Sequence, residues 1–290
     1  MPSKFHVLLV DLFDNEDSKS ILSEVDDSAE IFLERCAPYV DGLIKDSLIE
    51  DIGAYAIEFI INHYLHSLKL KMAGETSPIP IVHIVAHATI NGISTDTPEP
   101  KSITWNELCG LLCAINLFLD SNCILCLSAC DGWSGMQMNI GMDKRSPYYM
   151  LVGPSDSYRL IDIQSVFGVF YRYLKYESLE NENGLASLVL NAVRSANQSC
   201  VDIGHDADNE FLRCIQSENR HNQAEFEAVF AARKINSLKE KVTFMYQNMI
   251  LNKVARNTAI RAFSRLFLKI RSGSNLKIRS GSKWTRTSHN

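Results

Sequence analysis

No apolar run in this 290-residue chain approaches the roughly 18 residues that a bilayer-spanning helix needs. The richest stretch, 103–130, is broken by Glu107, Asn116, Asp120 and Asn122. The early apolar segment in "MPSKFHVLLVDLFD" is short and ends in acids, so it does not read as a secretory signal. The expectation is a cytoplasmic protein with no transmembrane segment. No zinc-finger or RNA-binding motif is present, so nucleic acid is not an expected partner. Cysteine pairs in tight Gly- or Pro-bearing knuckles, the usual mark of structural zinc, are also missing. Five of the eight cysteines (Cys109, Cys113, Cys123, Cys126 and Cys130) do crowd into one stretch. Cys123 and Cys126 lie in "CILCLS", an apolar strand pattern on which positions three apart point to opposite faces. These thiols read as reduced, buried, small hydrophobes, and neither a metal nor a cofactor is expected.

Acidic residues are absent from 253–290, which carries ten Lys/Arg. The other 252 residues hold 19 basic and 34 acidic side chains, so an acidic body of net charge −15 carries a basic tail. The overall charge of −5 conceals this asymmetry. Within the tail "LKIRSGS" occurs twice, at 268–274 and 276–282. Two copies of a Gly/Ser/basic heptad cannot bury a core, so 271–290 is expected to be a disordered tail.

What is plentiful is hydrophobic sequence, at 46%, enough for one large domain or for a domain plus an appendage. "FHVLLVDLF" (5–13), "IVHIVAHA" (81–88), "NCILCLSA" (122–129) and "YYMLVG" (148–153) read as strands. Residues 20–36 and 46–71 read as helices; in the second, Ile57, Ile60, Ile61, Tyr64, Leu65 and Leu68 recur at helical spacing. The polar stretch 91–103 reads as a loop. Thr104 then opens a helix with Glu107 three residues on, a capping box. Asp162 is placed to cap a helix whose Val166, Phe167, Phe170, Tyr171 and Leu174 share a face, and 184–197 form another.

Strands alternating with helices imply crossover connections and a mainly parallel sheet. Strands apolar on both faces fit a sheet covered by helices on both sides. The expected organisation is an α/β three-layer sandwich over 1–200, a helical extension over 201–270 and the basic tail. In such sheets, sites form at the carboxyl ends of strands, which selects His87 and Cys130. An imidazole there can take the thiol proton and later protonate a leaving amine. The backbone N–H groups of Ala88 and Cys130 could face a developing oxyanion. Small residues at the turn (Ser128, Ala129, Gly132) would admit a substrate backbone. Asp131 and Asp156 are the candidate substrate-binding acids, which would select a basic P1 side chain.

The series "IVHIVAHATINGI", "ITWNELCGLL" and "ILCLSACDG", followed by "YYMLVGPSD" and "GLASLVLNAVRSA", resembles the core pattern of CHAT domains, cysteine peptidases of the caspase–separase group. The likeness spans about 80–197. It implies a caspase–hemoglobinase fold and peptide-bond hydrolysis of a protein or peptide substrate. His87 then corresponds to the catalytic histidine, Cys130 to the nucleophile and His83 to an earlier, supporting or structural strand histidine. The family's common His-Gly is His87-Ala88 here. Regulation by a partner or by processing is also an expectation of the resemblance, with the C-terminal helices as the docking element.

Two other readings stand beside it. One is a catalytically silent caspase-like interaction module. The other is a nucleic-acid or membrane binder led by the tail, in which Arg256, Arg261, Arg265 and Lys269 cluster opposite Ile260, Phe263 and Phe267.

Overall fold

The computed structural model describes residues 4–13, 30–36, 47–97, 99–119, 122–130, 132–139, 146–177, 184–202 and 210–217. The chain runs β1 (Phe5–Asp11), β2 (Ile31–Cys36), α1 (Leu48–Met72), β3 (Ile79–Val85), β4 (His87–Thr89), β5 (Gly92–Ser94) and β6 (Ser102–Thr104). It continues through α2 (Trp105–Phe118), β7 (Ile124–Ser128), a 3₁₀ segment (Gly132–Asn139), β8 (Met150–Pro154), α3 (Leu160–Tyr176), α4 (Leu185–Asp202) and β9 (Leu212–Gln216).

Six strands form one sheet in the order β2-β1-β3-β7-β8-β9. All neighbours are parallel except β8 and β9, which are antiparallel. The mixed α/β architecture with a mostly parallel sheet follows from strands that are apolar on both faces. In β1, Leu8 and Val10 face α1 and α2, whereas Val7 and Leu9 face α3 and α4. The same alternation splits Val82 and Ile84 from Ile81 and Val85 in β3. Two separate cores result, one on each side of the sheet. Cys123 and Cys126 fall into opposite cores, so the sheet itself separates the two thiols.

Helix ends agree with local chemistry. Glu50 and Asp51 sit in the first turn of α1 and Lys69 and Lys71 in its last, each sign opposing the helix dipole. The capping box of α2 forms as the sequence requires: Thr104 Oγ1 accepts from Glu107 N at 3.3 Å, and Glu107 Oε2 accepts from Thr104 N at 2.9 Å. α3 differs from expectation, since Arg159 is its N-cap residue and Asp162 lies in its first turn, held by Arg159 Nε at 2.8 Å.

Three expected elements change type. Within the expected helix 20–36, residues Ile31–Cys36 are an edge strand. Residues 91–103, expected as a loop, contribute β5 and β6 to a small antiparallel sheet with β4. Leu212–Gln216, placed in the helical extension, is a strand, and the central sheet therefore runs past residue 200. Its short alternating pattern carried no helical period. The remainder of the expected extension and the tail, 203–209 and 218–290, lie outside the described residues.

A polar cluster interrupts the core between α1, β1 and β2. His6 Nε2 meets Glu34 Oε1 at 2.7 Å, and its Nδ1 meets His63 Nδ1 at 3.2 Å. Burial pushes His6 well below the usual imidazole range, His63 down to about 3 and Glu34 up to about 7. Both partners of the His6–Glu34 contact are thus driven towards their neutral forms, and the contact is a neutral hydrogen bond more than an ion pair. Among the described residues, no helix is long and apolar enough to cross a membrane.

Candidate functional site

β3 and β7 are parallel neighbours, and the last pair in their register is Val85 with Ser128. Ala86 N donates to Ser128 O at 3.2 Å just beyond it. His87 and Cys130 each follow that last pair by two residues. Adjacent strands lie about 4.8 Å apart, so the two chain ends leave the sheet side by side. The strand order 2-1-3 also reverses direction at β1 and β3, which makes their carboxyl edge the topological switch point where open α/β sheets bind ligands.

His87 is not the tip of β3. β3 ends at Val85, Ala86 intervenes, and His87 opens β4, paired with Ser94 of β5. Its side chain is 46% exposed, and its Nε2 lies 3.2 Å from Asp96 Oδ1. The Phe13 ring stands 4.8 Å from the imidazole, centroid to centroid. Phe13 is fixed in turn: its N–H donates to the buried Asp11 carboxylate at 3.2 Å, and Asp11 is held by Arg35 at 2.8 Å.

Cys130 occupies the turn after β7 and is half-buried. Its thiol donates to the Tyr158 carbonyl at 3.4 Å. Tyr158 stacks on Phe211 at 3.9 Å, and Ser155 beside it donates twice to that segment, from its N–H to Phe211 O and from its hydroxyl to Glu210 O. The carbonyl facing the thiol is therefore anchored by the residues leading into β9. In this arrangement, Cys130 bonds to the Tyr158 carbonyl and His87 stands in ion-pair contact with Asp96, and the two are not bonded to one another. β4 nevertheless packs against the segment Gly132–Asn139 that follows Cys130. Trp105 Nε1 donates to Thr89 O at 3.1 Å and Cys109 Sγ to Met138 O at 3.3 Å, so α2 holds both pieces.

The small residues around Cys130 serve the fold rather than an open approach. Ser128 and Ala129 are buried. A Cβ on Gly132 would meet Leu127 O at 2.8 Å and Pro154 Cδ at 2.9 Å, so the glycine is needed where its own chain presses on β7 and β8. His83 shares this internal role. Its Nδ1 bonds to the Tyr171 hydroxyl at 2.8 Å and its Nε2 to Ser128 Oγ at 2.6 Å. Complete burial pushes its pKa down to about 3, so it stays neutral with both nitrogens engaged.

Ala88 sits opposite Ile93 in the small sheet. Asp156 is exposed on the loop that also carries Tyr158, and its Oδ1 accepts from Ser157 N at 2.7 Å. Asp131 lies outside the described residues. Of the eight cysteines, only Cys130 and Cys214 are not fully buried, and burial pushes Cys214 up to about 12.

The sequence reading missed Asp96, Tyr158 and Phe211. A partial signal for Asp96 was present: Asn91-Gly92 is a hairpin dipeptide, and the chain does fold back one residue earlier, at Ile90-Asn91, which sets Ser94 against His87, with Asp96 two residues on. No local signal marks Tyr158 or Phe211, whose placement depends on β9 joining the sheet. Among the described residues, no group of three or more His, Cys, Asp or Glu side chains is arranged to hold a metal ion. No family model matches the chain, and no curated protein matches it significantly.

Proposed function

We propose that the chain is a cysteine endopeptidase of caspase-like, CHAT type, with Cys130 as nucleophile and His87 as its acid–base partner. The observation that carries this reading is the matched register, which sets the two residues equally far beyond Val85 and Ser128 on adjacent parallel strands. The placement of His87 beyond β3, which borders the switch point of the sheet, with Cys130 after the next strand at the same carboxyl edge, supports it further.

In the proposed reaction, His87 takes the Cys130 proton and the thiolate attacks the peptide carbonyl. The imidazolium then gives that proton to the departing amine, leaving a thioester. Water, deprotonated by the same imidazole, releases the acid and restores the thiol. Ala88 and Cys130 backbone N–H groups are the proposed oxyanion donors. Asp156, exposed near Tyr158, is the proposed acid for a basic P1 side chain, and Asp131 is the second candidate.

Cys130 must turn away from the Tyr158 carbonyl before it can meet His87. That contact favours a resting form that a partner or a cleavage event releases. It is also the observation that favours the second reading, a silent interaction module. A panel of peptides with Arg or Asp at P1, incubated with wild type and Cys130→Ala, separates them. Cleavage after Arg that disappears in the variant is expected. An alkylating probe should label Cys130 first, because six other thiols are buried and Cys214 resists ionisation. Equal cleavage by the variant, or no preference for Cys130, would remove the peptidase reading.

A further inference from the structure

His87 has a fixed neighbour that the dyad does not use. Asp96 Oδ1 lies 3.2 Å from His87 Nε2. The carboxylate is not on a free loop. Asp96 N donates to Leu12 O at 3.2 Å, and Asp96 bridges Phe13 in parallel fashion at the end of β1. Thr95 beside it is buried and tied down on three sides: its N–H donates to Lys101 O at 3.0 Å, its hydroxyl accepts from Lys101 N at 2.9 Å, and that hydroxyl lies 3.3 Å from Thr97 Oγ1. Leu12 N in turn donates to Val85 O at 2.9 Å, so the end of β1 joins the Asp96 segment to the strand that leads into His87.

Resting on the peptidase reading above, we propose that Asp96 is a positioning residue: its carboxylate accepts the Nε2 proton of His87 and leaves Nδ1 as the nitrogen that serves Cys130. The two ring nitrogens of a neutral imidazole differ in role, and the hydrogen bond made by one decides what the other does. Phe13 at 4.8 Å restricts the ring from the remaining side, so the acid sets the tautomer while the aromatic limits rotation. When Cys130 gives up its proton, the carboxylate also opposes the positive charge that appears on the ring. The pair is half-exposed, at 46% for both side chains, so its effect is that of a partly screened ion pair.

The test uses the full chain and the rate of Cys130 alkylation by iodoacetamide at low and high salt, with melting curves to establish folding. His87→Ala should slow alkylation, which tests the dyad itself. Asp96→Asn should slow it about two- to fivefold at low salt, the range for an exposed pair. Asp96→Glu, which keeps the charge, should restore most of the rate. Wild type should lose its advantage over Asp96→Asn near 1 M salt, where the screening length falls to about 3 Å. A purely structural role for Asp96 would not give a salt-dependent gap with rescue by glutamate. If His87→Ala slows alkylation but Asp96→Asn and Asp96→Glu both match wild type at every salt concentration, the dyad stands and the role of Asp96 is overturned. If Asp96→Asn does not fold, a wild-type rate indifferent to salt, or Asp96→Glu folded and as slow as His87→Ala, overturns it equally. If His87→Ala has no effect, both readings fall.

Discussion

His83→Gln isolates the buried histidine that links β3, β7 and α3. The glutamine amide reaches Ser128 Oγ in place of Nε2 but removes the ring nitrogen that the Tyr171 hydroxyl now meets at 2.8 Å, leaving that hydroxyl only the weaker Cys126 thiol. Losing one buried hydrogen bond while a weaker partner remains costs about 0.5–1.5 kcal/mol, so the variant should be less stable by about 1 kcal/mol at pH 7.5. The pH dependence should differ as well. The folded ring titrates at about 3, against 6.5 in the unfolded chain. Below pH 6.5 the unfolded chain binds a proton that the fold refuses. The resulting stability loss is absent above 6.5 and grows as the pH falls towards 3. By pH 5 it amounts to about 2 kcal/mol, at 1.36 kcal/mol per unit. Glutamine has no such term, so wild type and variant should reach equal stability near pH 6, and the variant should be the more stable by about 1 kcal/mol at pH 5. Chemical denaturation of both proteins at pH 7.5, 6 and 5 measures the gap. Because the His6, His63 and Glu34 titrations are common to both, they cancel in the difference. A gap that stays constant from pH 7.5 to 5 would refute the burial argument for His83.

Glu34 carries the opposite sign: its pKa is raised from 4.5 to about 7, chiefly by burial, so the associated stability is present below 4.5 and lost as the pH rises through 7. Glu34→Gln should accordingly stabilise the fold at pH 8 by up to about 3 kcal/mol and have little effect at pH 4.5, as read by urea midpoints. Gly132→Ala should destabilise by about 1–3 kcal/mol, because its Cβ would overlap Leu127 O and Pro154 Cδ. An unchanged melting temperature would show that the turn after Cys130 can shift to make room.

Much of the fold was legible because its signals are local. "FHVLLVD", "IPIVHIV" and "ILCLS" are apolar on both faces, and a strand with that pattern has to be covered on both sides. Thr104 and Glu107 cap α2 through bonds spanning three residues. The ends of β3 and β7 could be read as facing the same edge once the sheet was taken to be parallel, and that drew attention to His87 and Cys130. "IFLERC" was misread because a short apolar run next to helical spacing has no decisive period, and only pairing with β1 makes it a strand. "LRCIQ" was missed for a similar reason: its partner is β8, nearly sixty residues earlier.

The amino-acid order by itself determined which segments are strands with two buried faces, where α2 begins, and that a thiol and an imidazole follow two of those strands. Only the tertiary structure decided that β3 and β7 are neighbours in matched register, that Asp96 returns to His87, and that Tyr158, braced by Phe211, faces Cys130. The division has a physical cause. Hydrophobic periodicity and capping act within a few residues and are written where they act, whereas register, ring orientation and the partner of a thiol depend on segments brought together by burial of the two cores.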